Sequence, residues 1–236
     1  MTVAAVLPCP KTRITSVVYL LYFVTVMSAA FFMKGLVVSD DAAATANNIL
    51  THETLFRVGF AINVIATALY IAVTALFYQL FRPVSRSLAL LAAFFSLTGC
   101  GVQAVGYVGY VAPFTLLGGA QYLTVFKVEQ LQALVLTILR LRSQAEQIGI
   151  VFFGFFDFLI GCLILRSTFL PRILGALMAL AGLGWMIFLS PPLANNLAHY
   201  ILPLGFIAEF LLMLWLLVKG VNVQRWQEQA RAATEW

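Results

Sequence analysis

Long apolar stretches, separated by short polar segments, make up most of the chain. A bilayer core about 30 Å thick is crossed by a helix of about 20 apolar residues. By this measure the pattern predicts six transmembrane helices, over residues 15–37, 55–81, 88–114, 147–165, 173–189 and 201–218. The strict alternation of apolar and polar residues that marks a membrane β-barrel is absent from the sequence. The expected fold class is therefore all-α, a polytopic integral membrane helix bundle forming a single membrane domain over residues 1–236.

The segment between the third and fourth predicted spans has a different pattern. Its apolar core, residues 131–141, is too short to cross a bilayer. Charged residues flank this core closely, namely Lys127, Glu129, Arg140 and Arg142. These features favour an amphipathic or re-entrant helix over residues 125–143, and a seventh transmembrane helix is the alternative.

The composition also indicates a lipid environment. Hydrophobic residues make up 62% of the chain and charged residues only 10%, whereas soluble domains carry about 25% charged residues. The first partner to expect is therefore the lipid bilayer. The net positive charge does not indicate a nucleic-acid partner, because the basic residues are scattered at helix ends rather than clustered in a patch.

The distribution of basic residues predicts an orientation. If the N-terminus is cytoplasmic, nine Lys and Arg residues fall at the cytoplasmic ends of the spans and five at the opposite ends. Cytoplasmic loops of membrane proteins are enriched in these two residues. We therefore expect a multi-pass protein of the plasma membrane with both termini in the cytoplasm, where residues 222–236 form a short tail.

Two acidic residues lie inside predicted spans. Asp157 comes nine residues before Arg166 at the end of the fourth span, and Glu209 ten residues before Lys219 at the end of the sixth. Both spans run in the same direction, so the two residues differ in depth by only about 1.5 Å. An aspartate near the bilayer centre costs about 2.5–3.5 kcal/mol to insert. No Lys, Arg or His lies at the same depth to pair with either acid.

Asp157 and Glu209 are therefore a candidate midplane site for a proton or a ligand. Ionisable residues inside membranes commonly serve transport or proton relay. Without a cation beside them, at least one is expected to be protonated at neutral pH. The alternative is that each protonated acid donates a hydrogen bond to a carbonyl of a neighbouring helix and so holds the bundle together.

Other polar side chains lie nearer the outer ends of the spans. Asn63 and Gln103 fall in the outer thirds of the second and third spans, and Arg57 and His199 lie at the outer rim. Together these four residues are a candidate outer vestibule leading to the acids. Taken singly, each is better explained by a structural role, since Asn and Gln often link membrane helices.

Motifs of familiar enzyme and cofactor sites are absent from the sequence. There is no Walker loop, H-E-x-x-H, G-x-S-x-G or G-x-G-x-x-G. The two histidines, His52 and His199, have no third ligand at a metal-binding spacing. We therefore expect no metal and no other cofactor. Trp185 and Trp215, toward the ends of their spans, are expected to be interfacial anchors.

Six stretches of the chain include turns and loops as well as apolar helices. They are DAAATANNIL, LFRVGFA, RPVSRSLALLAAFF, VFFGFFDFLIG, RSTFLPRILGALMALAGLG and LWLLVKG. In this order, over residues 15–221, they resemble the bacterial membrane family catalogued as domain of unknown function 4386. The resemblance implies a small multi-pass helical protein and brings no activity. Family members often have a histidine near the FFG segment, where this chain has Phe155 and Phe156, so the resemblance does not imply a histidine-based metal or haem site.

Three functions fit these observations. The first is binding of a small hydrophobic or protonatable ligand, or its proton-linked transport, through Asp157 and Glu209. The second is an intramembrane enzyme acting on a lipid or isoprenoid, with one acid as proton donor and the other as stabiliser. The third is a structural or regulatory membrane subunit without chemistry. We favour the first, and the sequence leaves open whether any reaction is catalysed.

Overall fold

The computed structural model describes the backbone of residues 8–233 and the side chains of residues 12–190 and 192–233. Residues 234–236 of the predicted tail lie outside the described residues. All regular structure in the described range is helical, which confirms the all-α fold. The α-helices are α1 (Pro8–Met33), α2 (Ala42–Thr51), α3 (Glu53–Phe81), α4 (Arg86–Gly106), α5 (Ala112–Leu117), α6 (Val128–Arg166), α7 (Arg172–Trp185), α8 (Pro191–Val218) and α9 (Val223–Ala232). Short 3₁₀ turns occupy Tyr107–Tyr110, Gln121–Leu123 and Met186–Leu189.

Six helical stretches between residues 8 and 233 are long and apolar enough to cross a membrane. They are Thr12–Met33, Glu53–Phe81, Arg86–Leu117, Val128–Arg166, Arg172–Leu189 and Pro192–Val218. The predicted membrane helix bundle with six spans is thereby confirmed. The last span begins earlier than predicted because α8 starts with two prolines. Proline suits the first helical turn, where its missing N–H would have no partner in the helix.

The segment 125–143, predicted as an amphipathic or re-entrant helix, is helical from Val128 onward but is not a separate element. It forms the first part of α6, which runs unbroken for 39 residues. A helix of this length extends about 58 Å, which exceeds the apolar core of about 30 Å. The polar run SQAEQ at residues 143–147 contains no Gly or Pro, so nothing in it ends the helix. This continuity gives six spans rather than seven.

The chain divides into two compact units. The first contains the described residues up to Leu21, those from Leu69 to Cys100 and those from Ile148 onward. The second contains residues 22–68 and 101–147. The single membrane domain expected from the sequence stays a prediction.

The second unit has a core built around the short helix α2. Asp41 begins this helix, and its side chain accepts a hydrogen bond from the backbone N–H of Ala44 at 2.8 Å, as an N-cap residue does. Ile49 of α2 is fully buried in a cluster with Phe56 of α3 and Val135 of α6. Burying large apolar side chains stabilises such contacts by about 1.5–3 kcal/mol each.

The first unit contains a close contact between α6 and α7. A Cβ atom placed on Gly161 would lie 2.4 Å from the backbone N of Ala179, and one on Gly182 would lie 2.4 Å from the backbone N of Phe158. These distances leave no room for any side chain, so the two backbones touch. Each helix contributes two glycines to the contact, Gly154 and Gly161 on α6 and Gly175 and Gly182 on α7. Asp157 stands between the two glycines of α6 in the sequence.

The tail helix α9 packs within the first unit. Asn222 caps the helix by accepting a hydrogen bond from the N–H of Arg225 at 3.1 Å. The indole N–H of Trp226 donates to the carbonyl of Leu80 at 2.9 Å. The bond from Trp226 fixes the predicted tail to α3, and the cytoplasmic location of the tail stays a prediction.

Candidate functional site

Asp157 lies on α6 with 0% of its surface exposed. Neither of its carboxyl oxygens makes a hydrogen bond within the part of the chain that the structure describes. A buried polar group without a partner costs about 1–3 kcal/mol, and more if it is charged. The fold therefore holds a buried carboxyl that makes no well-formed hydrogen bond, although the side chains of Glu209 and Trp185 lie close enough to interact with it. Such exceptions in a native structure call for an explanation.

Glu209 of α8 brings a second carboxyl to the same place. The side chains of Asp157 and Glu209 lie close enough to interact with each other. The hydroxyl of Tyr19 on α1, itself fully buried, donates a hydrogen bond to Glu209 Oε2 at 3.0 Å. None of the ion pairs formed among the side chains of residues 12–190 and 192–233 includes either acid. The structure thus brings the two candidate acids together, with a hydroxyl on one and, among those described side chains, no cation paired with either.

The indole of Trp185 lies against this acid pair. It interacts with Asp157 from the C-terminal end of α7, and its ring packs on Gly205 of α8. A Cβ atom on Gly205 would lie 2.2 Å from Trp185 Cζ2, so only glycine leaves space for the ring. Gly205 precedes Glu209 by four residues, about one helical turn. Helix α8 therefore holds the indole and presents the carboxyl on the same face.

Sequence reasoning missed two parts of this arrangement, the positions of Trp185 and Tyr19. It assigned Trp185 to the membrane interface, whereas the structure places the indole beside Asp157. It gave no role to Tyr19, because one tyrosine in an apolar span resembles any other. Gly205 offered a usable signal, since a residue without a side chain one turn before an intramembrane acid leaves room for a group to approach that acid.

Two candidates for the outer vestibule, Asn63 and Arg57, lie in the second unit and make local contacts. The amide of Asn63 lies 3.4 Å from the hydroxyl of Tyr110, to which it donates. Arg57 pairs with Glu53 at 2.7 Å, and its guanidinium lies over the ring of Phe114 at 4.1 Å. Each contact is typical of side chains that link neighbouring helical turns or helices.

The other two vestibule candidates belong to different units. Gln103 is partly buried on α4 in the second unit, and His199 is exposed on α8 in the first. The ring of His199 lies against that of Tyr200, with 3.8 Å between the centroids. The vestibule as a whole stays a prediction.

No group of three or more His, Cys, Asp or Glu side chains able to hold a metal ion occurs in the described range. Cys100 and Cys162 are free thiols. The chemistry available at the site is therefore that of two adjacent carboxyls, one tyrosine hydroxyl and one indole.

Comparison with known proteins agrees with the resemblance noted from the sequence. The family described as Domain of unknown function (DUF4386) matches residues 14–220. A protein of Archaeoglobus fulgidus with the printed name "Uncharacterized protein" is 29% identical over 153 residues, which cover 64% of this chain and 76% of that protein. No solved structure matches the chain.

Proposed function

The chain belongs to the family Domain of unknown function (DUF4386), and because that description carries no activity, we propose a function from the site alone. We propose that this membrane protein binds a small hydrophobic or protonatable molecule at Asp157 and Glu209. We further propose that it moves this molecule across the membrane in a step linked to a proton. The residues in contact with the pair, Tyr19 and Trp185, would orient the two carboxyls.

The observation that carries the proposal is the missing hydrogen bond at Asp157. An acid that only holds helices together would be protonated and would donate to a carbonyl of the neighbouring helix. Asp157 makes no such bond, although α6 and α7 touch through their backbones on both sides of it along α6. A carboxyl that makes no such bond is available to a proton or a ligand.

The linkage of transport to a proton is inferred from the pairing of two acids. Two adjacent carboxylates repel each other, so one of the two acids is expected to be protonated in the absence of a cation. Among the side chains that the structure describes, the titratable groups that interact with the pair are the two acids themselves and the hydroxyl of Tyr19. Binding of a charged molecule would change the number of protons that the pair holds, which is the basis of proton-linked transport.

Infrared spectroscopy of the protein in lipid nanodiscs tests the proposal without knowledge of the substrate. We expect a carboxylic-acid C=O band that responds to a change in bath pH in the wild type. The band should be lost in Asp157→Asn, Glu209→Gln or both variants, because a carboxyl connected to the bath exchanges its proton. Tyr19→Phe should shift the band, since it removes the hydrogen bond to Glu209.

The control variant is Glu146→Gln, which removes a half-exposed carboxyl paired with Arg142 at 3.3 Å. This change should leave the pH-dependent band in place. A band from Asp157 and Glu209 that does not respond to bath pH would contradict the proposal. The two acids would then be sealed structural groups.

We also propose that the protein resides in the plasma membrane with both ends of the chain in the cytoplasm. The six spans return the chain to the side from which it started. The count of nine basic residues at one set of span ends against five at the other supports the cytoplasm as that side.

A further inference from the structure

The buried face of α1 carries hydroxyl groups over the first part of its membrane span. The residues of this face are Thr12, Thr15, Ser16 and Tyr19, with 4%, 2%, 0% and 1% of their surfaces exposed. Residues three and four positions apart lie on the same side of a helix. The four side chains therefore form one row along α1, called here the hydroxyl row.

The opposite side of the same helical turns is apolar. Ile14 and Val17 are 52% and 47% exposed, so this part of α1 presents aliphatic side chains outward and hydroxyls inward. Polar side chains of membrane helices face the interior of the bundle in this way when they line a path for ions or protons. The row ends at Tyr19, since the next buried residue along α1 is Phe23.

The two ends of the hydroxyl row lie at a membrane surface and at the acid pair. Thr12 is the first residue of the first membrane span. Tyr19, seven residues and about 10 Å further along the helix, donates its hydroxyl hydrogen bond to Glu209 Oε2 at 3.0 Å. Glu209 in turn lies beside Asp157. The row therefore extends from one end of the span to the carboxyls.

A purely structural role is the alternative for these hydroxyls. Ser16 donates to the carbonyl of Arg13 at 2.9 Å, and such bonds to the backbone satisfy many Ser and Thr side chains in helices. A hydroxyl oxygen that donates one hydrogen bond can still accept others, so this bond leaves Ser16 able to pass a proton. A structural role also gives no reason for the row to end at the tyrosine that bonds an acid.

We propose that the hydroxyl row is the main proton path between the acid pair and the membrane surface at which α1 begins. This inference rests on the proposed function, and the proposed orientation makes that surface the cytoplasmic one. Each hydroxyl oxygen accepts a proton from one neighbour and passes its own to the next, so one O–H bond forms for each that breaks. Tyr19 gives the last proton to the carboxylate of Glu209. Hydroxyls one helical turn apart, about 5.4 Å, are bridged by a water molecule.

The rate at which the buried carboxylic acids exchange hydrogen for deuterium tests this path. The full-length protein in lipid nanodiscs is transferred from H₂O to D₂O, and infrared spectroscopy follows the shift of the carboxylic-acid C=O band with time. Ser16→Ala and Thr15→Val should each slow the exchange by roughly 2- to 10-fold, because each removes one hydroxyl of the row. The band should keep its initial position, since Tyr19 and both acids are unchanged.

Two control variants separate the hydroxyl from the side chain that carries it. Thr15→Ser keeps a hydroxyl at the same position and should exchange at the wild-type rate. Ser28→Ala removes a hydroxyl of α1 that lies beyond Tyr19 and donates to the carbonyl of Val24 at 2.7 Å, much as Ser16 donates to that of Arg13. This variant should also exchange at the wild-type rate.

The direction of the change separates a proton path from a structural role. Hydroxyls that only hold α1 in the bundle would loosen it when removed, and exchange would then be unchanged or faster. That result would overturn the path, and a wild-type band that responds to bath pH would leave the proposed function with another proton route. A wild-type band that neither responds to pH nor exchanges would overturn both proposals. Where Ser16→Ala does not fold, the comparison of Thr15→Val with Thr15→Ser decides.

Discussion

At Asp157 the chain keeps a carboxyl that the rest of the first unit does not satisfy. Thr74 of the same unit is an example of a buried polar residue whose side chain does make hydrogen bonds. The hydroxyl of Thr74 donates to the carbonyl of Tyr70 at 2.8 Å and lies 2.6 Å from the hydroxyl of Ser96. Both residues are buried, and their hydrogen bonds offset the loss of water. Asp157 makes no equivalent hydrogen bond. This difference indicates that its carboxyl serves a function rather than stabilises the fold.

Replacement of the carboxyl by an apolar group of similar size should therefore not destabilise the protein. We expect Asp157→Val to leave the free energy of unfolding unchanged or to raise it by up to about 1–3 kcal/mol, because an uncompensated buried group is removed. Denaturant unfolding in detergent micelles measures the change.

The control for this variant is Thr74→Val, which removes a satisfied hydroxyl. It should lower the free energy of unfolding by about 0.5–1.5 kcal/mol. If Asp157→Val destabilised the protein as much as Thr74→Val does, the carboxyl would be a structural group, and the argument for a functional site would lose its basis.

At the scale of elements, α6 and α7 determine where Asp157 can point. Their glycines let the two backbones touch, so neither helix can rotate or slide without a clash. The apolar composition and length of these helices were predictable from the sequence. The continuity of α6 was not predicted, because the helix over residues 125–143 was expected to be separate from the span over residues 147–165. Ser, Gln, Ala and Glu all permit a helix to continue, and polarity alone does not end one.

A methyl group at the contact between these helices should be poorly tolerated. We expect Gly182→Ala to lower the free energy of unfolding by about 1–3 kcal/mol or more, because its Cβ would lie 2.4 Å from the backbone N of Phe158 and 2.5 Å from the carbonyl of Gly154. Backbone atoms cannot move aside as a flexible side chain does. Unfolding in detergent is again the measurement.

The matched control for the glycine contact is Gly101→Ala on α4. A Cβ atom at Gly101 meets nothing within 4 Å, so this change should stabilise the helix by about 0.5–1 kcal/mol. Equal tolerance of alanine at both positions would show that α6 and α7 do not touch through their backbones.

At the scale of the whole molecule, the proposed orientation places α2 outside the cell and α9 in the cytoplasm. We expect a cysteine at Asn47, exposed on α2, to react with a membrane-impermeant maleimide in intact cells. A cysteine at Glu228, exposed on α9, should react only after the membrane is opened. The reason is the excess of basic residues at the span ends on the side of α9.

The labelling requires a background in which the natural cysteines are replaced by serine or alanine. Opened membranes serve as the control, since both positions should react there. Labelling of the Glu228 position but not the Asn47 position in intact cells would reverse the proposed orientation. It would leave the carboxyl site unaffected, because the depth of the two acids does not depend on the direction of the chain.

The sequence by itself determined the fold class, and it predicted the six spans and the equal depth of Asp157 and Glu209. These properties follow from the composition and length of each segment and from the rise of about 1.5 Å per residue in a helix. These properties are local, because each depends on the composition and length of single segments and not on contacts between segments.

The tertiary structure decided that Asp157 and Glu209 are neighbours and that Tyr19 and Trp185 contact them. It also decided that neither carboxyl oxygen of Asp157 makes a well-formed hydrogen bond in the described range. Each of these facts depends on how a helix is rotated about its own axis. That rotation is fixed by contacts between segments far apart in the sequence, here the glycine contact of α6 with α7 and the packing of an indole on Gly205. Depth can be counted along one helix, whereas a shared site requires two helices to face each other.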